Sequence, residues 1–127
     1  MYPYWTILVA VFLPYLWATV AMYYKKKQLG SIDVKLPRKQ TDLLKGEGYR
    51  ANAAQSNAWE ALAVYTACFL TAVSAGVEPD KLVYPGAFWV AFRVMHGITY
   101  VAGIASLRMA SFAGGMACNV IIIAKVF

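Results

Sequence analysis

Long apolar stretches alternate with shorter polar connections along this chain. Each stretch holds about the 20 mostly apolar residues that a transmembrane helix requires. The stretches cover residues 3–24, 52–75, 81–104 and 107–127, and one long hydrophilic connection covers residues 25–51. The pattern predicts an all-α integral membrane protein, in which residues 1–127 form a single bundle of four transmembrane helices.

Glycine and proline refine the predicted elements. Pro14 lies inside the first stretch and predicts either a kink or a local packing contact. A helical turn is predicted at Thr41–Lys45 in the hydrophilic connection, and a short break at Gly103–Ser106 is predicted between the last two helices. The pair Gly114 and Gly115 in the final stretch predicts that another helix approaches closely there.

Composition and charge agree with a membrane protein. Of the 127 residues, 61% are hydrophobic and only 14% are charged, whereas soluble domains average about 25% charged. Eight of the twelve Lys and Arg residues lie between Lys25 and Arg50. Because basic loops of membrane proteins stay in the cytoplasm, this distribution predicts a cytoplasmic connection with both termini outside, and it argues against nucleic-acid binding. The spacing of Cys68 and Cys118 indicates neither a metal site nor a redox pair.

Polar side chains interrupt the second and third apolar stretches in two regular stripes. Asn57 and Glu60 are spaced i, i+3, and Arg93, His96 and Tyr100 are spaced i, i+3, i+7, so each set occupies one helix face. Such residues are costly inside a bilayer and usually face a partner or a cavity. The predicted topology brings both stripes to the cytoplasmic side, where we expect them to line one polar pocket.

Two arginines are predicted at the same membrane depth as the stripes. Arg50 lies just before the second stretch, and Arg108 opens the fourth. Cations and hydrogen-bonding groups gathered at one depth favour a binding site for a polar molecule.

A purely structural interpretation of the same residues also stays open. The amides of Gln55 and Asn57 are then hydrogen-bonding groups that join helices, and Glu60 forms a buried salt bridge with Arg93. His96 alone is more often a satisfied interior histidine than a catalyst.

The polar stripes resemble the motifs of a known family. Residues 53–60 have the sequence Ala-Ala-Gln-Ser-Asn-Ala-Trp-Glu, which is similar to the family's Arg-Ala-(His or Gln)-x-Asn-x-x-Glu, with Ala53 in place of the leading Arg. Residues 93–100 match Arg-Val-x-His-x-x-x-Tyr, and Arg108 fits an Arg that opens the family's fourth helix. The chain thus resembles the MAPEG family, the membrane-associated proteins in eicosanoid and glutathione metabolism, which includes microsomal glutathione transferases and the leukotriene C and prostaglandin E synthases.

The resemblance implies a homotrimer that binds glutathione as a co-substrate between neighbouring subunits, near the cytoplasmic face. Asn57 and Glu60 would hold the polar parts of the tripeptide, and Gln55 would support them. Arg93 would be either a carboxylate ligand or the partner of Glu60. Arg50, one turn before Ala53, would replace the missing family Arg. The alternative replacement is Lys25–Lys27 of the basic connection.

The resemblance also implies a catalytic arrangement. Arg108 would face the glutathione thiol and favour its thiolate, while Tyr100 would donate a hydrogen bond to the sulfur and, with His96, line the pocket. The second substrate would be a lipophilic electrophile or hydroperoxide that enters from the bilayer, and no metal is implied.

Two other functions stay open at this point. A small four-span multidrug transporter would use Glu60, the only acid within a predicted span, for proton exchange. A non-catalytic family member that binds lipid would be consistent with Ala53.

Overall fold

All regular secondary structure in residues 2–127, which this computed structural model describes, is helical. The α-helices are α1 (Trp5–Leu29), α2 (Pro37–Thr41), α3 (Glu47–Ser74), α4 (Val83–Ala102) and α5 (Ala105–Ala124), and a short 3-10 helix covers Pro79–Leu82. The structure therefore agrees with the predicted all-α class.

Helices α1 and α3 both extend beyond their predicted boundaries into the basic connection. Helix α1 includes Lys26 and Lys27 in its last turn, where positive charge complements the helix dipole, and it ends at Gly30 with a φ of 83°. The short helix of the connection, α2, begins four residues before the predicted Thr41–Lys45 and ends at Thr41, and the predicted range contains only a hydrogen-bonded turn from Leu44 N to Thr41 O. Pro37 opens this helix, as its fixed φ favours at a first helical position.

Two of the helices, α1 and α5, are long and apolar enough to cross a bilayer. At 1.5 Å per residue, the 28 residues of α3 and the 20 residues of α4 are also long enough, at about 42 and 30 Å. Their polar stripes lower the mean hydropathy, because Asn57 and Glu60 lie in α3 while Arg93 and His96 lie in α4. Hydropathy and length together thus identify two clear apolar spans, where the sequence pattern predicts four.

The helices pack as two closely associated pairs, α1 with α3 and α4 with α5, and α3 also contacts both α4 and α5. The larger core contains Tyr65, Phe69, Trp89 and Ile122, all at most 2% exposed. The Tyr65 ring stacks on the Trp89 indole with centroids 4.0 Å apart. The hydroxyls of Thr6 and Tyr65 share a hydrogen bond of 2.5 Å, so this core connects α1, α3 and α4.

A second, smaller core joins α1 to α3 and α4 around Leu13 and Trp17. Pro14 beside them is fully buried, so the packing contact predicted for this proline is present. The Trp17 indole lies directly against Gly97 of α4, where an added Cβ would overlap the ring. An added Cβ at Gly114 would meet the Phe92 ring in the same way, which confirms the predicted close helix approach.

The turn between α4 and α5 brings the ends of three helices together. Gly103 has a φ of 79°, its N–H donates to Tyr100 O, and the next N–H donates to Thr99 O, which is the Schellman arrangement that ends a helix. Arg50 of α3 donates from Nε to Val101 O over 3.0 Å. The predicted break at Gly103–Ser106 is therefore only two residues long, and it places Tyr100 near the start of α5.

Candidate functional site

A groove between α3, α4 and α5 contains three adjoining cavities. The turn cavity, of about 180 Å³, lies at the α4–α5 turn. The middle cavity, of about 360 Å³, shares Tyr100 and Arg108 with the turn cavity. The inner cavity, of about 230 Å³, shares Asn57 and Phe112 with the middle one. Because neighbouring cavities share residues, the groove runs from the turn along the face of α5.

Seven of the eight site residues predicted from the sequence line this groove. They are Arg50, Asn57, Glu60, Arg93, His96, Tyr100 and Arg108. The structure thus brings together groups from three helices that are up to 58 positions apart in the sequence, between Arg50 and Arg108.

Arg93 is held by Asn57 and not by Glu60. Its Nη2 donates to Asn57 Oδ1 over 2.5 Å, and the Arg93 side chain is only 5% exposed. Glu60 is exposed at the edge of the same inner cavity and forms no ion pair with Arg93. The Glu60–Arg93 salt bridge of the structural interpretation is therefore absent from residues 2–127, because Asn57, one turn before Glu60 on the same face of α3, accepts the hydrogen bond instead.

Arg108 lies over an aromatic ring at the junction of the turn and middle cavities. Its guanidinium carbon is 4.5 Å from the centroid of the Tyr100 ring, which is a cation–π contact. His96 packs edge-on against the same Tyr100 ring with centroids 5.6 Å apart. The His96 Nδ1 is buried and has no hydrogen-bond partner within residues 2–127. Because stacking occupies the guanidinium face, the N–H edge of Arg108 stays available to a ligand.

The charge of the groove is strongly positive. Arg50, Arg93 and Arg108 contribute three positive charges against the single negative charge of Glu60, which leaves a net charge of +2 when His96 is neutral. In the described part of the chain, the one ion pair joins Lys81 to Glu78 on the surface, so no carboxylate neutralises the three guanidiniums. Among the same residues, no cluster of His, Cys, Asp or Glu could hold a metal ion. The groove can thus bind a polar anion and stabilise a negative charge that forms there.

A family model described as the MAPEG family matches residues 2–127, which is essentially the whole chain. The chain belongs to the MAPEG family. Neither the curated proteins nor the solved structures gave a match. The family membership and the two apolar helices together indicate a membrane protein, and the MAPEG family is generally associated with glutathione.

Ala53 is the main departure of this MAPEG protein from the family motif, and Arg50 is the nearest cation that reaches the groove. Arg50 lies one turn before Ala53 on α3 and lines the turn cavity beside Arg108. Lys25 is directed elsewhere, because its Nζ donates to Pro37 O over 3.0 Å. Lys27 lies over the rings of two neighbouring tyrosines of α1. Within one subunit, Arg50 is therefore the candidate replacement for the family Arg that is missing at Ala53.

Gln55 lies outside the groove of this MAPEG protein. It lines a separate cavity of about 750 Å³ between α1, the basic connection and α3, together with Lys25 and Arg38. The expectation that Gln55 supports Asn57 within one pocket is wrong for a single subunit. The reason is geometric, because two residues along a helix rotate a side chain by about 200°, to nearly the opposite face.

The groove also contains residues that the sequence did not predict, among them Asn119 and Trp89. Asn119 is 5% exposed and lines the inner cavity. It follows Arg108 by 11 residues, about three helical turns, so its position on the same face was readable from the sequence. Trp89 precedes Arg93 by four residues and extends the α4 stripe into the inner cavity.

Proposed function

We propose that this MAPEG protein is a glutathione-dependent membrane enzyme that conjugates lipophilic electrophiles or reduces lipophilic hydroperoxides. The observation that carries the proposal is the Arg108 guanidinium, stacked 4.5 Å over Tyr100 and free of any carboxylate partner in the described chain. It lies in a groove whose other polar groups suit a peptide-like anion.

The chemistry of glutathione is complementary to the groove. Glutathione carries two carboxylates and one ammonium, so its thiolate form has a net charge of −2, opposite to the +2 of the groove. Planar guanidiniums such as those of Arg50 and Arg93 match carboxylates with two parallel hydrogen bonds. The exposed Glu60 carboxylate suits the ammonium, and the Asn57 amide suits the peptide groups.

Arg108 would activate the sulfur by electrostatics. A thiol becomes a good nucleophile only as the thiolate, and a guanidinium within a few ångströms lowers the thiol pKa. The proton leaves to solvent, and the thiolate then attacks the electrophilic carbon while a leaving group departs with its bonding electrons. With a hydroperoxide, the thiolate attacks the terminal oxygen as the O–O bond breaks and the alkoxide leaves, and a second glutathione reduces the resulting sulfenic acid to give water and the disulfide. The Tyr100 hydroxyl, on the ring that supports Arg108, would donate a hydrogen bond to the sulfur.

The wider arrangement is part of the same proposal. All four long helices would span the membrane, with the basic connection in the cytoplasm, both termini outside and the lipophilic substrate arriving from the bilayer. Three copies would form a homotrimer with each glutathione between two subunits. Two features support this assembly: Glu60 is exposed at the open side of the groove, and the separate cavity that contains Gln55 gives α3 a second polar face.

A non-catalytic, lipid-binding role is the second candidate, and Ala53 favours it. Without the family Arg at this position, glutathione affinity depends on Arg50, which already donates to Val101 O. The multidrug-transporter alternative has no comparable support, because Glu60 shares its cavity with the Arg93 cation and the chain is a MAPEG protein.

Glutathione titration of the detergent-solubilised protein tests the proposal. We expect the thermal unfolding midpoint to rise with glutathione concentration, and thiol consumption to begin when a chromogenic aryl halide or a lipid hydroperoxide is added. Ophthalmic acid, which has a methyl group in place of the thiol, is the matched control: it should stabilise the protein without supporting turnover. Stabilisation without turnover of any electrophile would refute the catalytic part of the proposal. The absence of both would refute the whole proposal and favour the lipid-binding role, which Ala53 supports through a loss of glutathione affinity.

A further inference from the structure

The inner cavity has polar groups at one end and an isolated amide at the other. Asn57, Glu60 and Arg93 lie at the end that adjoins the middle cavity, and Asn119 lies further along α5. The wall between them is apolar and includes Trp89 and other side chains, namely Ala61, Val64, Phe112 and Met116. Apart from the indole N–H of Trp89, Asn119 is thus the polar side chain of an otherwise apolar wall.

The Asn119 amide is buried with its hydrogen-bonding capacity unused. Its side chain is 5% exposed, and its Oδ1 has no partner within residues 2–127. Its Nδ2 finds only the weak acceptor Met116 Sδ, at 3.9 Å. A buried amide without partners is unfavourable, and more so in an apolar environment, so the position is suited to a group that is supplied from outside the chain.

The spacing along α5 relates this amide to the proposed reaction centre. Phe112, Met116 and Asn119 continue from Arg108 at steps of four, four and three residues, so all four lie on one helix face. The 11 residues from Arg108 to Asn119 correspond to about 16 Å at 1.5 Å per residue. A molecule that reaches from one to the other must be elongated and mostly apolar.

We propose that the inner cavity binds an elongated lipophilic molecule that carries a hydroxyl group remote from its reactive centre, and that Asn119 selects it by hydrogen bonding to that hydroxyl. This assignment rests on the proposed function, since it gives the class of the second substrate. A hydroxyl both donates and accepts. It can donate a hydrogen bond to the free Oδ1, and after rotation of the amide about χ2 it can accept one from the poorly paired Nδ2. A carboxylate could accept from Nδ2 but has no proton to donate to Oδ1, and a plain alkyl chain would satisfy neither atom.

Binding can be measured without any reaction, because Trp89 lines the same cavity and is a fluorescent reporter. The probes are a bromoalkanol with a terminal hydroxyl and the bromoalkane of the same chain length, each of which quenches tryptophan emission when bound. In the solubilised full chain, we expect the bromoalkanol to quench at a concentration about three- to tenfold lower than the bromoalkane. In Asn119→Leu, which keeps the branched shape and the number of heavy atoms but loses the amide, this preference should disappear.

Controls keep the result interpretable. Trp89→Phe should remove the quenching that depends on the hydroxyl, and Asn119→Met, whose flexible side chain adapts to the space, replaces Asn119→Leu if that variant fails to fold. Equal quenching by both probes in the wild-type protein would overturn the assignment. A preference that survives in Asn119→Leu or Asn119→Met would also overturn it. The absence of any quenching would overturn it as well, since the cavity would then be closed to the probes, for example by a second copy of the chain. Glutathione is absent from this experiment, so a failure of the proposed enzyme activity would leave its outcome readable.

Discussion

Arg93 of α4 donates a hydrogen bond from Nη2 to Asn57 Oδ1 of α3 over 2.5 Å. The guanidinium is nearly buried, so Asn57 satisfies one of its donors and holds the group at the wall of the inner and middle cavities. The remaining N–H groups of Arg93 have no side-chain partner in the described chain and are available to a ligand. This hydrogen bond therefore joins α3 to α4 and also holds a positive charge at the wall of the groove.

Asn57→Leu is expected to destabilise the protein by about 1.5–3 kcal/mol, because it leaves a buried guanidinium without its acceptor. Thermal unfolding in detergent, followed by circular dichroism, measures the effect. Asn57→Asp keeps the acceptor oxygen and should retain most of the stability. If the Leu and Asp variants lose the same amount, the hydrogen bond to Arg93 is not what holds α3 and α4 together here.

Arg108→Ala should raise the pH at which bound glutathione forms its thiolate. A nearby positive charge stabilises the thiolate and lowers the thiol pKa, so removing it moves the ultraviolet thiolate titration upwards by about 1 to 2 pH units. Tyr100→Phe is the matched variant, because it retains the ring under Arg108 and removes only the hydroxyl. Its curve should move less, and both variants should unfold near the wild-type temperature. An unchanged titration in Arg108→Ala would show that another group faces the sulfur.

Arg50 and Ala53 form a compensating pair in the proposed site. Arg50→Ala should weaken glutathione binding about three- to tenfold, because it removes the cation that lines the turn cavity beside Arg108. Adding Ala53→Arg to that variant restores the family motif and should recover the affinity. Lys125→Ala removes an equal charge at the exposed far end of α5 and is the control for bulk electrostatics. Calorimetry with glutathione would refute this replacement if Arg50→Ala bound as tightly as the wild type.

Helical periodicity explains why the composition of the groove was largely predictable. The spacing of Asn57 and Glu60 on α3, and of Arg93, His96 and Tyr100 on α4, fixes which residues share a helix face before any tertiary contact is known. Antiparallel connections then bring the two faces together. The position of Gln55 on the opposite face follows from the same rule. The expectation that Gln55 supports Asn57 came from the family motif and not from helical spacing.

The pairing of Arg93 with Asn57 was not predictable from the sequence. Asn57 and Glu60 share one face, and opposite charge favours Glu60 as the partner of Arg93. The choice depends on how far α3 is rotated about its axis, which is set by packing elsewhere. That packing includes the contact of Trp17 with Gly97, between residues of α1 and α4 that lie 80 positions apart.

Gly97→Ala tests that packing directly. The added Cβ would overlap the Trp17 indole, so we expect a loss of about 1–3 kcal/mol, as for other overpacked cores. Gly115→Ala is the matched helical control, since its Cβ would lie 3.6 Å from Arg93 Cδ, an ordinary contact, and the exchange should be neutral or slightly stabilising. Combining Gly97→Ala with Trp17→Leu frees space for the methyl group, so the double variant should lose less than the sum of the single losses. Additive losses in thermal unfolding would mean that the Trp17 ring does not limit the approach of α1 to α4.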